Sequence, residues 1–252
     1  MVKVFATILC FLFFQSLVAQ QEVCKSYTMQ DGLVSNPVRR IFQDSKGFIW
    51  IATWEGLSKY DGFRFTNFNT SNGLSHPMVN DLLEKNGKLY VAMNNGNVDV
   101  IEHDMIANKS KSTRVINSFY ELKNKKVLAS TDTSGLCEFE DGILIKPRVQ
   151  PFRASFKITQ LNDSTFVSLT EQGVDIFSSN YSLLTTIPLE SKERQAGSLF
   201  RSLYIDSKKR IWIGSDIGLK LLSPSPTDPH SFSFSVLPAP FDITFLKKSI
   251  IW

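Results

Sequence analysis

The stretch DSKGFIWIATWEGLSKYDG, Asp44–Gly62, returns at Asp206–Ser223 as DSKKRIWIGSDIGLKLLS. In both copies a carboxylate opens a polar turn, an apolar run containing Trp follows, and Gly-Leu starts the next segment. Within the first run Phe48, Trp50 and Ala52 alternate with Ile49 and Ile51, and all five are apolar. Alternation with a period of two marks a strand, and apolar residues on both of its sides mark a sheet meant to be covered on both faces. Asp44 and Asp206 stand where a carboxylate accepts hydrogen bonds from turn amides. That structural task is favoured over calcium coordination, because the oxygen spacing of an EF-hand loop is lacking. Asp61, in the YDG triplet, reads as the hairpin turn between a third and a fourth strand.

Working outward, five segments share this grammar: 36–68, 76–104, 116–142, 156–180 and 200–223. Gly56, Gly96, Gly135, Gly173 and Gly218 recur at intervals of 38 to 45 residues, as expected where a turn needs positive φ or backbones come close. Trp50, Tyr90, Leu128, Phe166 and Trp212 keep the same beat at the start of the second strand. A unit of about 40 residues built from short strands is the signature of a propeller blade or a strand solenoid, because one small sheet needs neighbours to cover it. DGLVSNP (Asp31–Pro37) and NGLSHP (Asn72–Pro77) read as connections from an outer strand to the next inner one, with Pro placed where a missing N–H is harmless. The closing DITFLKKSIIW, Asp242–Trp252, resembles the opening of the fourth unit and ends inside a second strand. The fold expected is all-β: a β-propeller of four-stranded blades, five blades plus part of a sixth, forming an incomplete ring. An unfinished blade exposes an apolar edge, so aggregation or dimerisation of the isolated chain is expected. The alternative is that the tail completes the first blade.

The N-terminus sets the expected compartment. Lys3, the apolar run Val4–Phe14 and Leu17 with Ala19 form a secretory signal over residues 1–19, cleaved after Ala19 or Gln20. The run falls short of the roughly 20 residues that span a bilayer. Residues 20–252 then form the repeat domain, located in the periplasm or outside the cell. Cys24 and Cys137 are too few and too far apart for a disulfide framework. The formal charge of +4 is spread along the chain, and the basic clusters at Lys109–Arg114 and Lys208–Arg210 lack a stacking platform, which argues against nucleic acid. His76, His103 and His230 show no zinc-like spacing, so no metal or cofactor is expected. Phosphate-binding glycine loops and a GxSxG elbow are also missing.

Taken together, Asp44, Gly47, Trp50, Ala52, Thr53, Gly56, Leu57, Tyr60, Asp61 and Gly62 resemble the two-component regulator propeller repeat, and Asp206, Trp212, Gly214, Gly218 and Leu219 match it in the fifth unit. The middle units depart from it: Tyr90, Leu128 and Phe166 replace Trp, and the leading Asp becomes Glu84, Leu122 and Leu161. The resemblance spans residues 27–252. It implies the extracytoplasmic sensor region of hybrid two-component histidine kinases, many of which respond to carbohydrates. The kinase activity would then reside in C-terminal domains absent from this sequence, with full-length relatives anchored in the inner membrane.

For binding, loops entering and leaving the inner strands are the natural ligand end of a propeller. Trp54, beside Glu55 and outside the alternating apolar set, is either a lid on the neighbouring blade or a stacking platform. Arg39 and Arg40, with Arg201 at the matching place in the fifth unit, would line the central channel. The leading expectation is a noncatalytic, ligand-sensing propeller that takes an oligosaccharide or other small ligand and signals to kinase domains or a partner protein. The alternatives are a propeller lyase or glycosidase, and a structural or protein-interaction propeller.

Overall fold

The computed structural model describes residues 25–111, 114–145, 152–188, 200–215, 218–225 and 232–236. The leader at 1–19, Cys24, His230 and the closing segment 242–252 lie outside the described residues.

Among the described residues twenty strands form five four-stranded antiparallel sheets, each a meander in chain order. Blade 1 contains β1 (Val38–Gln43), β2 (Ile49–Thr53), β3 (Leu57–Tyr60) and β4 (Phe65–Phe68); blade 2 contains β5 (Val79–Lys85), β6 (Lys88–Met93), β7 (Asn97–Glu102) and β8 (Met105–Lys111). Blade 3 is built from β9 (Ile116–Glu121), β10 (Val127–Thr131), β11 (Gly135–Glu140) and β12 (Ile143–Ile145). Blade 4 has β13 (Ser155–Gln160), β14 (Thr165–Thr170), β15 (Gly173–Ser178) and β16 (Leu183–Pro188). Blade 5 has β17 (Phe200–Ile205), β18 (Ile211–Ser215), β19 (Gly218–Pro224) and β20 (Phe232–Val236). The inner strands pack in succession, β1 on β5, β5 on β9, β9 on β13 and β13 on β17, which is the order of blades around a propeller axis.

Apolar clusters fill the seams between blades. Trp50, Leu57 and Phe68 of blade 1 meet Val79, Val91 and Met93 of blade 2. Val98 and Val100 of blade 2 pack with Ile116, Phe119 and Phe139 of blade 3. Leu128 joins Ile158, Phe166 and Phe177, and Leu169 and Ile176 join Ile211, Ile213 and Leu222. Full burial of one such side chain is worth about 1.5–3 kcal/mol, so the seams, more than any single sheet, hold the fold. Every residue of β14 is buried, as two-sided covering requires. In β2, Ile49 and Ile51 are only half-buried. Their face has no neighbouring blade among the described residues, whereas the Trp50 face lies on blade 2.

The repeated phrase has a physical core that spacing alone does not reveal. Asp44 Oδ1 accepts the amides of Lys46 and Phe48 at 3.0 and 2.9 Å, and its Oδ2 accepts Trp50 Nε1 at 2.8 Å. Asp206 repeats this with the amides of Lys208 and Arg210, at 2.9 and 3.0 Å, and with Trp212 Nε1 at 3.0 Å. One carboxylate thus closes the β1–β2 turn and fixes the indole that enters the seam. In blade 2 the residue at this place is Lys85, not Glu84: Leu83 pairs with Tyr90 as Phe42 pairs with Trp50, and the intervening turn is one residue shorter. Glu84 instead accepts Ser45 N and Ser45 Oγ from blade 1, at 2.7 and 2.6 Å.

Asp206 carries a measurable consequence. Burial works against its ionisation. Donation from Trp212 and from the Arg210 amide and guanidinium, with that guanidinium's charge, overcomes this and leaves the carboxyl at about 2 against an ordinary 3.8. A carboxyl depressed in the folded state contributes stability that is complete above the unfolded value and is lost as pH falls through the folded one. The contribution should therefore disappear between about pH 4 and pH 2. Chemical denaturation across that window should show a steeper acid loss for the native protein than for Asp206→Asn. Parallel curves would contradict the assignment.

At the other end of blades 1, 3, 4 and 5 a hydroxyl closes the β2–β3-type turn. Thr53, Thr131, Thr170 and Ser215 donate to the carbonyls of Gly56, Gly135, Gly173 and Gly218, at 2.8, 2.9, 3.1 and 3.0 Å. Blade 2 has Met93 there and closes through Gly96 N to Met93 O, at 3.1 Å. Gly56 and Gly173, at φ +147° and +150°, lie so close to the outer strand that a Cβ would meet Phe68 O at 2.4 Å and Ile187 O at 2.1 Å. At Gly56 and Gly173 close approach thus requires glycine, whereas at Gly218 a Cβ would meet nothing within 4 Å. Asp61 forms the expected hairpin turn, its Oδ1 accepting Phe63 N and Arg64 N at 2.8 Å each.

Candidate functional site

The inner strands all carry a β-bulge at one place. Register skips a residue between Val38 and Arg40, Val79 and Asp81, Ile116 and Ser118, Ser155 and Lys157, and Phe200 and Ser202. An inserted residue re-aims the side chains around it. In blades 2 and 3 the bulged residue is Asn, and each amide reaches the next blade: Asn80 Nδ2 donates to Ile116 O at 3.0 Å, and Asn117 Nδ2 to Ser155 O at 2.8 Å. The matching residue of blade 1 is Arg39, whose Nη1 lies 3.7 Å from Met78 Sδ.

Arg39 and Arg40 are exposed on β1. Arg40 Nε pairs with Asp81 Oδ1 at 3.0 Å, and Asp81 Oδ2 accepts Phe119 N at 2.8 Å. Arg201 takes the bulge position of β17, equivalent to Arg39. A fourth cation, Lys157 of β13, was not singled out by sequence. Burial lowers its ammonium below the ordinary lysine value; nearby Asp81 opposes this, and Arg40 and Arg39 add to it. The signal that could have found it is register: Lys157 follows its bulge as Arg40 follows its own.

Trp54 and Glu55 occupy the β2–β3 turn, at the end where β1 begins. Trp54 is 51% exposed and lies outside the buried clusters that join the blades. Glu55 is exposed, its amide donating to Thr53 Oγ1 at 3.2 Å. At the opposite end, where the β1–β2-type turns lie, a cavity of about 300 Å³ opens among blades 3, 4 and 5, lined by Tyr120, Leu122, Lys123, Gln160, Leu161 and Lys209. Lys123 is paired there with Asp163. The structure thus places Trp54 and Glu55 together on one rim, Arg39 and Arg40 beside the axis, and the cavity at the far end. Among the described residues no group of three or more His, Cys, Asp or Glu could hold a metal ion, and Cys137 is a buried thiol outside any disulfide.

The capped turn before β1, β1 itself, the Asp44 turn and β2 through Glu55 form the stretch that matches a protein-family model, the two component regulator propeller, over residues 32–55. The match covers about a tenth of the chain and falls wholly within blade 1 and the turn that leads into it. The fold around the repeat is similar to the extracellular domain of a hybrid two component system, BT3049 from B. thetaiotaomicron, with TM-score 0.66 and 19% identity over 85% of this chain and 32% of that one. It is also similar to the extracellular domain of BT4673 from B. thetaiotaomicron, with TM-score 0.54 and 16% identity over 88% and 35% of the two chains. The Cps50 (Swd1) β-propeller domain from Myceliophteria thermophila gives TM-score 0.55 and 10% identity over 80% and 70%. At these identities the likeness is one of fold. The chain spans about a third of the length of the B. thetaiotaomicron domains. No curated protein matches the chain.

Proposed function

We propose that this chain is a noncatalytic, extracytoplasmic sensor propeller, part of a two-component signalling protein. The observation that supports this most directly is the regulator propeller repeat at residues 32–55, embedded in a fold similar to two B. thetaiotaomicron extracellular domains. The leader read at residues 1–19 agrees with export, and in this reading the propeller signals to kinase domains or a partner protein. In this reading the rim carrying Trp54 and Glu55 receives the ligand, an oligosaccharide being the class that suits an exposed indole beside a carboxylate.

The test is calorimetric titration against panels of oligosaccharides and peptides. A saccharide should bind, and Trp54→Ala should weaken it about 5- to 10-fold, the equivalent of an aromatic contact of about 1–1.5 kcal/mol. Because Trp54 is half-exposed and outside the seams, the variant should melt at the temperature of the parent. Silence across the saccharide panel, or an unchanged affinity in the variant, would remove the carbohydrate reading. A second reading, a protein-interaction propeller, is favoured by the likeness to Cps50 (Swd1) and other β-propeller domains. Peptide binding without saccharide binding would select it.

A further inference from the structure

The residue following each bulge pairs at one level of the second strand, so Arg40, Asp81, Ser118, Lys157 and Ser202 form one layer of the inner strands. The adjoining bulge layer adds Arg39 and Arg201. Arg39, Arg40 and Lys157 thus gather at the axis around one carboxylate, and that carboxylate is engaged: Asp81 holds Arg40 with one oxygen and the Phe119 amide with the other. Lys157 makes no hydrogen bond or ion pair with the described residues, although it is partly withdrawn from solvent. A cation withdrawn from water whose one nearby carboxylate, Asp81, is already engaged by other donors is costly, and an anion supplied from solution would relieve that cost.

We propose that the axis of this propeller is a binding site for a small multivalent anion, bearing phosphate, sulfate or clustered carboxylates, with Lys157 as its central contact and Arg39 and Arg40 at its border. This site goes beyond the sensor reading and does not depend on it, since it lies on the inner strands and not on the rim of Trp54. Guanidinium groups supply forked donors for such oxygens and the ammonium a compact charge.

Inorganic phosphate, sulfate and citrate, titrated calorimetrically into the 252-residue chain at fixed ionic strength with chloride as control, test the site. At least one polyanion should bind saturably where chloride does not. Lys157→Met should weaken that binding about tenfold or more, Lys157→Arg should retain it, and Arg39→Gln should have an intermediate effect. Lys157→Met removes an unpaired cation, so its melting temperature should equal or exceed the parent's; a loss of binding then cannot be a loss of folding. No saturable binding of any of the three, equal binding in Lys157→Met, or the same heat from chloride would overturn the proposal. None of these outcomes bears on saccharide binding at the rim.

Discussion

Replacing Gly173 with alanine is expected to destabilise the protein by about 4 kcal/mol, a large share of the 5–15 kcal/mol that typically holds a domain folded. Two costs add. At φ +150° the backbone is one that L side chains rarely adopt, and the new Cβ would stand 2.1 Å from Ile187 O and 3.1 Å from Pro188 Cα. Strain of the first kind costs of order 1–3 kcal/mol, and forcing backbone apart in a packed site costs about as much again. Gly218→Ala is the internal control, with φ +149° and nothing within 4 Å of its Cβ. It should cost only the conformational part, about 1–2 kcal/mol. Denaturant midpoints for the two variants decide the matter. If they coincide, close approach to β16 is not what selects glycine in blade 4.

Arg153→Met should lose a similar amount, about 3–5 kcal/mol, by stranding a buried charge. Asp175 is 1% exposed, and among the described residues its side-chain donors come from this one corner: Arg153 Nε to its Oδ2 at 2.8 Å, Arg153 Nη2 to its Oδ1, and Thr186 Oγ1 to its Oδ1 at 2.8 Å. Removing the guanidinium leaves a carboxylate in a nearly closed site with one hydroxyl for company. The double variant Arg153→Met, Asp175→Val should recover most of the loss, because replacing both partners by apolar groups is often close to neutral. Blade 3 provides a precedent in the chain, since Cys137 follows Gly135 at the same distance as Asp175 follows Gly173 and is fully buried without charge. A double variant as unstable as Arg153→Met alone would mean that the arginine acts by packing.

Much of this architecture is legible in the sequence because it repeats. The glycines and the large residues of the second strands mark the five repeats, although by strand pairing Val167, not Phe166, stands at the Trp50 position and Asn97, not Gly96, at the Gly56 position. What could not be read is what crosses between units. Asp44 shows itself as a turn former, but its second oxygen on Trp50 Nε1 needs the strand to double back before the two can meet. Lys85 rather than Glu84 holds the Asp44 position because a turn shortened by one residue leaves the surrounding pattern almost unchanged. Arg153 and Asp175 are 22 residues apart in a chain with many oppositely charged pairs, and nothing local pairs these two. Of the site residues, Arg39 and Arg40 were accessible to sequence as inner-strand cations. Lys157 was missed because its importance comes from the bulge, which the alternation of FKITQ does not announce.

The bulge common to all five inner strands has a consequence for how such a protein can change over evolutionary time. One inserted residue separates the side chains at the axis from the apolar positions that fill the seams. The axial level already reads Arg, Asp, Ser, Lys, Ser from blade to blade while the seams stay uniformly aliphatic and aromatic. Substitutions at the less buried Arg40, Lys157 and Ser202 can redraw the electrical character of the centre at little cost to the scaffold, whereas Asp81 and Ser118 are buried and hydrogen-bonded into it. The charge at the axis can therefore change more freely than the shape of the scaffold.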